Sequence, residues 1–175
     1  MRRKKAICAA HGLIGVSPLD ALGEEPAVWA PLPEWRRISL RNEAHIRSCA
    51  LVIANLTPFR GPSADVGTVY ELGFARGLGL PLFGYATVAS PFLDRTLAAT
   101  GANKAEDGSW RDEEDLIIEQ FGLFDNLMIE GGIANAGGTL LLEDGDRWRD
   151  LEVFDRCAAL SARHMRQLQA DPVKK

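Results

Sequence analysis

The chain has 175 residues, 46% of them hydrophobic and 25% charged, with a net charge of −4. That length makes one domain with enough apolar content for a real core, and the acidic balance excludes non-specific binding to nucleic acid, whose phosphates require a basic face. No apolar run approaches the ~20 residues that span a bilayer, and no charged-then-apolar signal segment opens the chain.

Residues Arg2 to His11 read as a helix, with Ile7 and Ala10 on one side and Gly12 as its stop. Leu13 to Val16 is a predicted short strand, followed by Ser17-Pro18-Leu19-Asp20. Residues 21 to 37, rich in Pro, Ala and Trp, form an ordered but irregular loop. Ser39 is placed to cap a helix running through Cys49. A strand at 50–56, a helix at 66–78 and a strand from Leu80 to Tyr85 follow. Residues 86 to 120 give mixed signals: a turn at Ser90-Pro91, a short helix, and an acidic stretch from Glu106 to Asp115. Leu127-Met128-Ile129 is a candidate last strand, and Leu151 to Leu168 a final amphipathic helix. Strands alternating with helices predict a mostly parallel α/β sheet, flavodoxin- or Rossmann-like, flanked by helices. Such a domain normally opens with a strand near the middle of its sheet, whereas this sequence opens in a helix.

The most informative stretch is Leu51 to Leu80, in which an apolar strand runs into a Pro/Gly loop and then a helix. Open α/β sheets build binding sites at that junction, outside the carboxyl end of the strand. Two carboxylates fall there: Asp65 just before the helix and Glu71 inside it, among the apolar Val69, Leu72 and Phe74. Asp65 also suits a helix N-cap. Three cysteines (Cys8, Cys49, Cys157) lie far apart, as thiols of a reducing cytoplasm do, with neither zinc spacing nor a disulfide framework. The three histidines share no metal-ligand spacing, and no phosphate-binding GxGxxG or GxxxxGK[ST] occurs.

At these motifs the chain resembles the nucleoside 2-deoxyribosyltransferase family. The matching pieces are Ser17-Pro18-Leu19-Asp20, the helix Arg41-Asn42-Glu43-Ala44-His45-Ile46, the block VIANLTPFRGPSADVGTVYELGFA, and Phe121 to Met128. They span most of residues 5 to 130, and Asp65 to Gly73 (DVGTVYELG) is the specific part. The resemblance makes residues 1–175 a single domain whose part from 131 to 175 lies outside the match.

The resemblance implies an enzyme that moves a 2-deoxyribosyl group between nucleobases through a covalent glycosyl-glutamate ester, in cytoplasmic nucleoside salvage. Position by position, Glu71 falls on the nucleophile and Asp65 on the carboxylate beside it. Asn42 falls where the family reads the nucleobase edge, and Asn126 on an amide that reaches the sugar from a neighbouring subunit, with Met128 lining the pocket. Asn55 and Arg60 complete the expected substrate-binding set. The partners implied are a 2′-deoxynucleoside donor, a free base acceptor and further copies of the chain sharing active sites; no metal or organic cofactor is implied. The helix N-terminus is expected to keep Glu71 ionised, leaving Asp65 as the proton carrier. The family opens with a strand carrying a Tyr-Leu-Ala-Gly-Pro-like run, and none precedes Arg2, so the sheet is expected without its usual first strand or with that strand encoded upstream of Met1. Two other readings stand beside the transferase: a (deoxy)nucleoside or nucleotide N-hydrolase, and a non-catalytic nucleoside-binding protein of the same fold.

Overall fold

The computed structural model describes residues 1–170. Its helices are α1 (Arg2–Ala10), α2 (Glu34–Ser48), α3 (Val66–Gly77), α4 (Phe92–Ala99), α5 (Leu127–Asn135) and α6 (Glu152–Ala170). Its strands are β1 (Val52–Asn55), β2 (Leu82–Ala86), β3 (Ala102–Lys104), β4 (Trp110–Asp112), β5 (Ile117–Ile118) and β6 (Leu140–Leu142). The main sheet is parallel, in the order β1-β2-β6. A second, antiparallel sheet holds β3-β4-β5. The architecture is the expected parallel α/β sheet flanked by helices. No helix among the described residues is long and apolar enough to cross a membrane.

All five residues of β2 are buried, because helices cover both faces of this middle strand. Leu82 and Ala86 point into a core with Leu56, Leu72, Ile129 and Ile133. Phe83 and Tyr85 point the other way, into a core with Cys8, Val153, Phe154 and Cys157. Between them Gly84 leaves room for its neighbours: a Cβ there would come within 2.9 Å of the Leu56 and Leu140 methyls and 3.0 Å of that of Ile133, which would have to shift. The chain therefore packs two apolar layers against one short sheet, and α3 buries Leu72 and Ala75 in the first of them.

Several predicted elements are corrected. Leu13 to Val16 forms no strand, since a strand exists only with a partner and no ladder reaches this segment; Ile14 is 95% exposed. The helix expected from Ser39 starts at Glu34, capped at Pro33, and its early turns are held by Arg37 and Arg41 on the two oxygens of Glu25. Leu127-Met128-Ile129 is the first turn of α5, because Asn126 caps it through the Met128 amide. The third strand of the main sheet is instead Leu140–Leu142, within the part of the chain outside the resemblance. The antiparallel sheet is built from strands of two or three residues, too short to show a period.

Within the described residues β1 is an edge strand. Val52 N–H donates to Pro81 O and Leu56 N–H to Tyr85 O, so the even-numbered residues face β2. The backbone groups of Ile53 and Asn55 accordingly point away from it. Along that side runs a cavity of about 610 Å³, bounded by α1, residues 13–18, Leu51, Ile53 and Asn55, and the C-terminal half of α6.

Candidate active site

The three parallel strands end together, and a chain of hydrogen bonds stitches their carboxyl ends. Asn55 Oδ1 accepts from the Thr57 amide (3.1 Å) and the Thr57 hydroxyl (2.7 Å), turning the chain sharply after β1. The Thr57 hydroxyl accepts from the Thr87 amide after β2 (3.1 Å), and the Thr87 hydroxyl donates to Arg147 O after β6 (2.8 Å). Arg147 closes the circuit by donating to Pro58 O at 2.6 Å. Asn55 therefore uses its carbonyl to shape the loop.

Beyond the turn the loop carries Arg60 in the left-handed region (φ 56°), its guanidinium stacked 4.8 Å over Phe59. That placement braces the loop tip. Phe59 in turn meets Trp148 edge to face. The loop then delivers Asp65 to the start of α3, where its Oδ2 accepts from the Thr68 amide at 3.0 Å. Asp65 is thus an N-cap, and Gly67 beside it leaves room for its carboxylate, since a Cβ there would lie 3.0 Å from Oδ2.

Glu71 sits nearly two turns into α3 and is partly buried. Burial pushes its carboxyl above the usual range, and the negative charge of Asp65 adds to the rise. Both causes act against the helix N-terminus, which favours the ionised form of Glu71. The helix field fades within the first turn, and withdrawal from water outweighs it six residues past the cap. Two carboxylates do stand at the head of α3, and the charge of Asp65 adds to the raised proton affinity of Glu71.

Glu43 of α2 accepts from the Tyr70 hydroxyl of α3 at 2.7 Å, a bond between the chain neighbours of Asn42 and Glu71. Asn42 Oδ1 is buried and has no hydrogen-bond partner among the described residues. A buried carbonyl in that condition is an acceptor for which a ligand donor would be favourable. Asn126 lies on the other side, and both ends of its amide are engaged within its own chain. Oδ1 caps α5 through Met128 N at 3.0 Å, and Nδ2 donates to Glu119 at 2.6 Å. Met128 is 74% exposed and forms no pocket wall in the single chain.

The residues that sequence reasoning passed over are those that hold this frame. Asp125 is 1% exposed and joins the loop before α3 to the start of α5. Arg95, in the short helix α4, donates to Pro62 O at 2.7 Å and to Phe124 O at 2.5 Å. Their neighbours in sequence carry no signal for this, because the partners that join the two loops, Ala64 for Asp125 and Pro62 and Phe124 for Arg95, are 29 to 61 residues away. The 610 Å³ cavity lies elsewhere: among the candidates only Asn55 reaches it, and its lining holds no acidic residue. The paired carboxylates make the head of α3 the candidate site. No three His, Cys, Asp or Glu side chains cluster as metal ligands among the described residues.

Residues 1–128 match the family described as nucleoside 2-deoxyribosyltransferase. An uncharacterised protein of Schizosaccharomyces pombe is 32% identical over 152 residues, a match covering 79% of this chain and 71% of that one. Among solved structures, a 2-desoxiribosyltransferase from Leishmania mexicana is similar with a TM-score of 0.58 at 25% identity, over 93% of this chain and 85% of its own.

Proposed function

Because the chain belongs to the nucleoside 2-deoxyribosyltransferase family, we propose that it exchanges the base of 2′-deoxynucleosides, with Glu71 as nucleophile and Asp65 as the accompanying carboxylate. A carboxylate oxygen of Glu71 attacks C1′ of the donor as the N-glycosidic bond breaks, and the electron pair of that bond leaves with the base, which takes a proton. A nitrogen of the acceptor base then attacks C1′, loses its proton and releases Glu71. Two inversions keep the β configuration.

The single observation that carries this reading is the partly buried Glu71, its proton affinity raised, coupled to Asp65 at the carboxyl end of β1. Withdrawal from water makes its carboxylate a stronger base. The positive charge that grows on the sugar as the base departs then favours the ionised form where it is needed. In this reading Asp65, which caps α3 through the Thr68 amide, manages protons at the base. Asn42, with its unpaired buried acceptor, is the group for a donor on the nucleobase edge.

We further propose that copies of the chain share sites. Exposed Val66 (83%), Phe121 (68%) and Met128 (74%) support it, being apolar side chains left in water around the carboxylates and the start of α5. A role in nucleoside salvage in the cytoplasm follows from the same reading.

The test is incubation of the purified protein with 2′-deoxyinosine and free adenine, followed by chromatography. New 2′-deoxyadenosine, absent with Glu71→Ala, is the expected result. Hypoxanthine without deoxyadenosine would make the protein an N-hydrolase. No turnover, with retained nucleoside binding, would make it a binding protein and overturn the proposal.

A further inference from the structure

Resting on the reading of Glu71 and Asp65 as the reacting pair, we propose that Asp125, with Arg95, is the positioning clamp of the site. It fixes the head of α3 against the head of α5. Each oxygen of the Asp125 carboxylate is shared between two segments of chain. Oδ1 accepts from the Ser63 hydroxyl at 2.5 Å and from the Asn126 amide at 2.8 Å. Oδ2 accepts from the Ala64 amide at 2.9 Å and lies 4.0 Å from the Arg95 guanidinium. Ala64 immediately precedes the cap of α3 and Asn126 is the cap of α5. One buried carboxylate therefore sets where Asp65 stands relative to Asn126.

Both partners are themselves held. Arg95, its side chain 11% exposed, spreads its donors over Pro62 O, Ser90 O and Phe124 O, which fixes the loop before α3 and the loop before α5 from below. Glu130 accepts from the amides of Phe124 and Asp125, and Glu119 from Asn126 Nδ2 and the Leu127 amide. The Ser63 hydroxyl and the Ala64 and Asn126 amides thus converge on one carboxylate, with the Arg95 guanidinium beside it.

A buried ion pair returns little net stability, because desolvation offsets most of its attraction. What a fully bonded buried carboxylate does provide is geometry, through charge-assisted bonds of defined direction. Displacing a reacting group by about 1 Å costs on the order of 100-fold in rate. A clamp one residue from Asp65 sits where such a displacement would begin.

The experiment compares Asp125→Asn and Ser63→Ala with the unaltered protein in the deoxyinosine–adenine exchange, at a temperature where all three are folded. Amide hydrogen exchange is followed in the same samples. The Asn side chain must turn an NH2 toward one of the donors now facing Asp125, so its expected effect is a fall in kcat of about 10- to 100-fold with KM moving less. The Ala64 and Asn126 amides should lose protection together while those of β2 keep theirs. Ser63→Ala removes one bond, on the α3 side only. It should lower kcat several-fold and also shift the NMR signal of the Asn126 amide, which it does not touch. Unchanged kcat in the folded variants, whatever happens to their melting temperature, would overturn the proposal. So would an Asn126 amide indifferent to Ser63→Ala. If Asp125→Asn does not fold, Ser63→Ala decides alone. If the unaltered protein turns nothing over, the reading of Glu71 fails, and the coupled amide protection still tests the clamp.

Discussion

The closest approach in the main sheet is at Gly138, just before β6, and it makes a sharp prediction. A Cβ built there would fall 1.5 Å from the Leu82 carbonyl oxygen. A carbon and a carbonyl oxygen sit comfortably at about 3.3 Å, so Gly138→Ala must drive the two backbones apart by about 1.8 Å. The Gly84 N–H to Thr139 O bond, now 3.0 Å, would open beyond hydrogen-bonding range. Gly138 N–H to Ile133 O, now 3.1 Å, would be strained with it. Overpacking of about 1–3 kcal/mol and two weakened bonds of about 1 kcal/mol each give about 3–5 kcal/mol. In a domain of this size that lowers the melting temperature by about 10 °C. The matched control is Gly131→Ala in α5, where the same methyl meets nothing within 4 Å. Removing a helical glycine there should stabilise by about 0.5–1 kcal/mol. Thermal unfolding followed by circular dichroism measures both. A Gly138→Ala protein melting within 2 °C of the original would refute the packing of β6 against β2, and with it the path by which Arg147 reaches Pro58.

Two further predictions concern the site and the sheet edge. Because burial raises the Glu71 carboxyl, the folded state holds that proton more tightly than the unfolded chain, so Glu71 lowers stability as pH rises through its folded titration. Glu71→Gln should melt above the original at pH 8, and the gap should close as the pH falls below about 4, where the carboxyl is protonated in both states; melts that differ equally at every pH would contradict the assigned burial. At the sheet edge, the Ile53 amide points away from β2 and the Ala54 amide toward it. Hydrogen exchange should therefore be at least about tenfold faster at Ile53 than at Ala54, and equal rates would mean that the outer edge of β1 is covered.

Much of the site was readable because its chemistry is local. A carboxylate before a helix accepts from an amide three residues on, so Asp65 announces the start of α3 wherever the chain is found, and the structure has that bond. The apolar run from Leu51 to Ala54 and the buried block from Leu82 to Ala86 likewise declare strands, and the sheet is parallel as expected. The same local logic misled at Leu127-Met128-Ile129, where an apolar triplet carries no period and Asn126 decides for helix. Leu140 to Leu142 is equally short, and only the exposed flank of β2 makes it a strand.

The sequence by itself determined the α/β class, the order of the principal helices and the pair of carboxylates, since propensity, capping and spacing act within a few residues. Tertiary structure alone decided how far Glu71 is withdrawn from water, because burial depends on how α3 packs against the rest of the fold. It alone joined Asp125 to Ala64, 61 residues earlier, and to Arg95, 30 residues earlier (125 − 95). Contacts of that separation are set by the packing of whole helices against the sheet, and no pattern of neighbouring residues encodes them.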